Sequence, residues 1–234
     1  MCVRFGFVPY GERMPPVSPP GAAAQRRVPR QERSRRRVED LLDAAARLVV
    51  ERGVEALTTR EIAEAAGAPV ASLYQYFADK EGVLLALARR DMDEMDAQVA
   101  ADLARLEVLS VASVVRATML AFVEVYRRRP AFVEIYLRGR TNPAVSRFGR
   151  EHNARIAASL AAFAREAGRA TDRLSARVAE LAVEVGDRVF QLAHERDAAG
   201  DPDLVEEGIT LVTAYLERYA TPAGLAGTPA RVAP

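Results

Sequence analysis

Apolar side chains recur at three- and four-residue intervals over most of this chain, the spacing that places them on one face of a helix. The first run starts at Val38. Leu41, Leu42, Ala45, Leu48 and Val49 share a face, and Gly53 closes the segment. Thr58 opens the next segment, with Glu61 three residues later, the arrangement of a capping box. Gly67-Ala68-Pro69 interrupts the pattern. A short helix is predicted over about 70–77, after which Asp79 can cap a longer one carrying Val83, Leu84, Leu87, Met92 and Met95. Further helical runs cover about 110–128, 131–138, 143–168, 172–198 and 203–220. Pro130 and Pro143 suit first turns and Gly139 suits a helix end. No strand-length alternation bounded by hairpin turns occurs. The prediction is an all-α fold of about nine helices.

Composition sharpens the domain boundaries. Half of the 234 residues are apolar, enough for a substantial core. The formal net charge of +1 hides an uneven distribution: residues 1–37 carry +7, residues 38–80 carry −4 and the remainder −2. Residues 1–25 are rich in Pro, Gly and Ala without any period, and 26–37 form a basic run, "RRVPRQERSRRR". The expected organisation is a disordered basic extension over 1–34, a three-helix unit over 35–82, a larger helical unit over 83–221 and a disordered tail over 222–234.

Candidate chemistry excludes more than it includes. His152 and His194 lie far apart, Cys2 sits in the N-terminal extension, and no Gly-rich phosphate loop or metal-ligand cluster occurs. We expect no enzyme activity, no catalytic residue, no metal and no cofactor. A single cysteine forms no internal disulfide, no run approaches 18 consecutive apolar residues, and no short apolar signal core stands near the N-terminus. A cytoplasmic protein without a membrane contact is the expectation.

The stretch "GAPVASLYQYFADK" (67–80) sets two tyrosines and a phenylalanine close together just after a Gly-Pro break. Two short helices joined by three or four residues containing Gly make a helix-turn-helix, whose second helix lies in the DNA major groove. Such a helix needs small or polar atoms on its first turn, and Val70, Ala71 and Ser72 supply them. Gln75 can reach a base edge, while Tyr74 and Tyr76 carry hydroxyls suited to phosphate oxygens. Leu73 and Phe77, four apart, can face Ile62, Ala63 and the first helix. An alternative places all three rings in the core.

The segment "TTREIAEAAGAPVASLYQYFADKEGVLLALA" closely resembles the DNA-binding region of TetR-family transcriptional regulators, over about residues 38–90. It is similar to their pattern Thr-x-x-x-Ile-Ala-x-x-Ala-Gly-Val-x-x-x-x-Leu-Tyr-x-Tyr-Phe-x-x-Lys-x-x-Leu, and two departures from the family matter. Ala68 stands where Val is usual, and Pro69 stands where Ser often caps the recognition helix. The resemblance implies phosphate contacts from Thr58 and Thr59 and a base-reading Arg60, which alternatively pairs with Glu64. It also places Val70, Ala71, Ser72 and Gln75 toward bases, and Tyr74, Tyr76 and Lys80 on the backbone. Because the three-helix unit is net negative, the basic run, including Arg35, Arg36 and Arg37, is expected to supply much of the attraction to DNA.

For the remainder, the family implies a homodimer on a palindromic operator and a pocket for a small hydrophobic effector. Helix 203–220 is apolar on two sides, Leu204, Gly208, Leu211, Tyr215 on one and Val205, Ile209, Val212, Leu216 on the other, so it needs two partner surfaces. The dimer face is expected to use Leu181, Val185, Leu192, Ile209, Val212 and Leu216, with simple burial as the alternative. Pocket candidates on the middle helices are Met119, Phe122, Val123, Tyr126 and Phe132. Tyr136, Phe148, His152, Ile156 and Phe163 complete that set, with Tyr126, Tyr136 and His152 as polar handles and plain core as the alternative. Arg127-Arg128-Arg129 reads as a solvated cluster favoured by the helix dipole. The function implied is a sequence-specific DNA-binding repressor released by its ligand; the alternative is a helical module that binds a hydrophobic ligand without DNA.

Overall fold

The computed structural model describes residues 24–139 and 142–229, and side chains within 32–227 of these. Ten helices run in chain order among the described residues. They are α1 (Ala24–Arg52), α2 (Thr59–Ala65), α3 (Val70–Leu73), α4 (Lys80–Ala104), α5 (Val111–Arg128) and α6 (Pro130–Phe132). After them come α7 (Pro143–Glu166), α8 (Ala176–Ala193), α9 (Pro202–Glu217) and α10 (Pro222–Ala226). Between α6 and α7 the chain widens into a π-helical turn, Val133–Arg138. The only strands among these residues are two-residue segments, β1 (Val108–Leu109) and β2 (Thr228–Pro229), paired antiparallel. The expected all-α class is the one observed.

Local sequence explains the helix starts. Ser110 and Ser113 cap α5 reciprocally, Asn142 caps α7, Ser175 caps α8 and Asp201 caps α9, each satisfying backbone N–H groups that the helix itself leaves unpaired. Proline occupies the first turn of α6, α7, α9 and α10, where its missing N–H costs nothing.

Both termini differ from expectation. Helix α1 begins at Ala24, so residues 24–34 are helical rather than a disordered arm. Gln, Arg and Glu are good helix formers, and Glu32 pairs with Arg36 one turn on at 2.7 Å. The expectation for 1–23 lies outside the described residues. At the other end, 222–229 is ordered. The Thr221 hydroxyl donates to the Gly168 carbonyl at 2.7 Å, the Gly224 backbone packs directly on the Arg169 carbonyl, and β2 pairs with β1. Residues 230–234 lie outside the described residues.

The largest apolar cluster among the described residues spans both parts of the molecule, with two smaller ones beside it. Leu41, Leu48 and Val49 of α1 pack with Ile62, Leu73, Phe77 and Leu87, and the same cluster continues through Phe132 and Ile135 to Val189 and Phe190 of α8. The helix-turn-helix is therefore packed onto the larger helical body through α4, α6 and the π-turn. A rigid link of this kind can transmit a shift.

Candidate DNA-binding face and ligand cavity

Thr58 caps α2 as its sequence predicts. Its hydroxyl accepts from the Glu61 N–H at 3.2 Å and donates to the Glu61 carboxylate at 2.7 Å. That bond, with the nearby Arg52, holds the Glu61 carboxyl below its ordinary range. The hydroxyl of Thr58 is thus engaged in capping, and a carboxylate stands beside it. Gly67, at φ +61°, ends α2 in the left-handed conformation that side chains other than glycine resist.

Helix α3 is a single turn, and the chain tightens over 74–76 before Phe77 rather than continuing helically. The split by face follows expectation for Leu73, Phe77, Ala71, Tyr74 and Gln75 but not for Val70 and Tyr76, which were expected toward DNA and pack instead against the core. Leu73 and Phe77 are buried beside Ile62 and Ala63, whereas Ala71, Tyr74 and Gln75 are exposed, Tyr74 at 54%. Val70, Ser72 and Tyr76 are half-buried. Two hydroxyl contacts fix the tyrosines: Tyr74 with Thr59 of α2 at 3.1 Å, and Tyr76 accepting from Ser34 of α1 at 3.3 Å. Ser34 was not legible as a positioning residue, because nothing in the sequence places it beside Tyr76. Arg60 is exposed, and no ion pair with Glu64 forms among the described residues. Lys80 reaches the Val54 carbonyl at 3.5 Å, leaving two ammonium protons for other acceptors. Arg35 and Arg36 are exposed and Arg37 is half-buried on the helical extension of α1.

A cavity of about 120 Å³ lies among α5, α7, α8 and α9. Of the ten pocket candidates, Met119, Phe122, Ile156 and Phe163 line it. The others do not. Tyr126 and Phe132 are buried in a ring stack (centroids 6.0 Å apart) that continues to Tyr136 at 5.2 Å, Phe148 is core, and Val123 packs half-buried against that core. His152 is buried and pairs with Asp96 of α4 at 2.9 Å. Helical period identifies an inward face but not which part of it fronts a gap. The polar lining comes from residues that period did not single out: Ser110, Thr118, Asn153, Arg169 and Asp187. Tyr136 bears on the cavity indirectly. Burial, and then the adjoining Asp187 carboxylate that accepts its hydroxyl, push its phenol above the ordinary value, and Gly149 leaves its ring the necessary room.

The α9 residues expected in the dimer face turn inward instead. Ile209 and Val212 are buried in the chain's own core, because Gly208 lets α9 sit directly on Val189 of α8. Leu216 is half-buried and lines the cavity. What faces outward is a groove of Leu181, Val185, Leu211 and Tyr215, with Leu181 52% and Leu211 53% exposed and Leu192 also exposed nearby.

Comparison with known proteins follows this division of the chain. Residues 41–87 match the family described as bacterial regulatory proteins, tetR family, and residues 110–216 match the tetracyclin repressor-like C-terminal domain. A crystal structure of a TetR-family transcriptional regulator from Streptomyces coelicolor is 30% identical, with a TM-score of 0.64, covering 78% of this chain and 99% of that one. The chain belongs to the TetR family. The HTH-type transcriptional repressor Rv1474c of Mycobacterium tuberculosis is 30% identical over 62% of this chain and 67% of its own length. The HTH-type transcriptional repressor AcnR of Corynebacterium diphtheriae is 33% identical over 50% of this chain, which spans 57% of that relative's length. Among the described residues no helix is long and apolar enough to cross a membrane.

In this TetR-family chain an ionic network joins the helix-turn-helix to the helical body. Arg90 of α4 reaches Glu39 and Asp43 of α1 at 3.2 and 2.7 Å. Asp91, 1% exposed, lies 3.4 Å from Arg90 and 3.7 Å from Arg129. Arg129 and Arg128 both pair with Glu94, at 2.6 and 3.0 Å. Arg128 and Arg129 are therefore structural partners of α4, not a solvated cluster; only Arg127 of that run stays largely in water. Asn142 also donates to Glu81 in the first turn of α4.

Burial pushes the Asp91 carboxyl up to about 6 against the pull of the two arginines. With the folded value above the ordinary 3.8, the folded state holds a proton that the unfolded chain has released, so this group's contribution to stability is present at low pH and lost as pH rises toward 6. Asp91→Asn keeps the neutral form at every pH, and both arginines retain other carboxylate partners. Its stability relative to wild type is expected to rise by about 2 kcal/mol between pH 4.5 and 7.5, read from urea unfolding at the two pH values. A constant difference would show that Asp91 ionises normally in the fold.

Proposed function

We propose that the chain is a homodimeric, sequence-specific DNA-binding transcriptional regulator that represses its targets and leaves its operator when a small, largely hydrophobic molecule occupies the α5–α9 cavity. The observation that carries the reading is the face of α3: Ala71, Tyr74 and Gln75 stand in solvent while Leu73 and Phe77 anchor the same turn in the core. Small atoms at the helix start admit close approach to base edges, Gln75 can pair bidentately with adenine, and the Tyr74–Thr59 hydroxyl pair suits a phosphate oxygen. The exposed arginines of α1 supply positive charge beside an otherwise acidic unit. Relatives named as repressors support the direction of regulation.

Two-fold symmetry would place two α3 turns on a palindromic operator with half-sites roughly 34–36 Å apart. Release follows if the ligand favours a conformer with a different spacing. Coupling of this kind is typically about 1–3 kcal/mol, a 5–150-fold change in operator affinity. Helix α4 is suited as the lever, because it meets α1 through Arg90 and α7 through Asp96–His152 and Glu81–Asn142. Selection from a random duplex library is expected to enrich a two-fold-symmetric site whose binding weakens steeply with salt. Enrichment of nothing above background would favour a ligand-binding module that does not touch DNA.

A further inference from the structure

We propose, building on the effector cavity above, that its ligand is a small amphiphile with a carboxylate head and that Arg169 holds the head. The lining has two distinct ends. Along α8, Ala179, Ala182, Val183, Gly186, Asp187 and Phe190 form the wall, roughly 16 Å from first to last. Arg169, whose backbone N–H donates to the Ala164 carbonyl at 2.7 Å, marks the end near Leu174. Asn153, bonded to Glu184 at 3.1 Å, and Asp187 mark the other. The other walls are almost entirely apolar, apart from Thr118 on α5 and Ser110, which is engaged in capping α5.

Two polar atoms of this lining are buried without a hydrogen-bond partner, Arg169 Nε and Thr118 Oγ1. Buried polar groups are ordinarily satisfied, so a pair of orphans on the wall of one cavity marks where a ligand's own polar atoms fit. Among the described residues no carboxylate forms an ion pair with Arg169. A guanidinium on the wall of an apolar cavity matches a planar carboxylate in charge and in geometry. The Asp187 and Glu184 end repels a second anionic group, so the carboxylate goes to Arg169 and the apolar body runs toward Phe122 and Phe190. A volume of about 120 Å³ accommodates on the order of ten non-hydrogen atoms.

Calorimetric titration of the full-length protein with octanoate, 1-octanol and octylamine tests this. Wild type is expected to bind octanoate at least tenfold more tightly than either other probe. Arg169→Gln is expected to keep octanol binding and lose the preference for octanoate; the contacts that dock α10 use the residue 169 backbone, so the fold is retained. Should that variant fail to fold, the ranking of the three probes on wild type still decides the head group. A preference for octanol or octylamine overturns the carboxylate assignment and leaves the cavity reading intact. An octanoate preference that survives Arg169→Gln overturns the role of Arg169. Binding of none of the three overturns the cavity reading, and this inference with it.

Discussion

Replacing Ala71 by Glu is expected to weaken binding to the selected operator by at least a hundredfold, roughly 3 kcal/mol, while leaving the fold untouched. Ala71 is exposed in the first turn of α3, one residue after Val70, whose side chain already packs inward. A glutamate there needs no core rearrangement, and a carboxylate near a helix N-terminus is electrostatically favourable. Thermal unfolding should therefore agree with wild type within about 0.5 kcal/mol, as for ordinary surface substitutions. On DNA the same carboxylate meets phosphates and acceptor-rich base edges, and the loss should persist across salt concentrations because steric fit is lost along with charge complementarity. Fluorescence anisotropy with a labelled operator measures it. Affinity within threefold of wild type would mean that α3 does not enter a groove.

The second large effect concerns assembly. Leu181→Glu with Leu211→Glu is expected to convert a dimer into a stable monomer, weakening self-association by three or more orders of magnitude, about 4 kcal/mol. Both leucines are more than half exposed in the single chain, so the monomer loses little. In a two-fold interface each substitution appears twice, and four carboxylates would be brought together and desolvated. Sedimentation velocity reads the oligomeric state directly. Operator affinity should fall in parallel, since a monomer engages one half-site at a time. A double variant that remains dimeric would place the interface elsewhere than the α8–α9 groove.

How legible each feature was depends on how local its cause is. The start of α2 was readable because Thr58 and Glu61 interact across one turn, and the inward turn of Leu73 and Phe77 followed from their spacing of four. The beginning of α1 was not, because its residues have helix propensity but no apolar stripe, so periodicity is silent there. Helix α9 presented two apolar sides, and the pattern held no information on which faced inward. That was settled by Gly208 permitting contact with Val189, a residue of another helix. Arg169 sits in the α7–α8 connection, where no period exists to single it out, and nothing near Arg129 in the sequence points to its partner Asp91 across the fold.

The order of residues alone thus determined the helical class, the helix-turn-helix and the side of α3 that meets solvent, because each rests on contacts within a turn or two of the chain. Only the tertiary structure decided which residues surround the cavity, which side of α9 is outward and which arginines serve as structural pairs. Those outcomes depend on how closely separate helices approach, and a glycine on one helix opposite a valine on another leaves no trace in the periodicity of either.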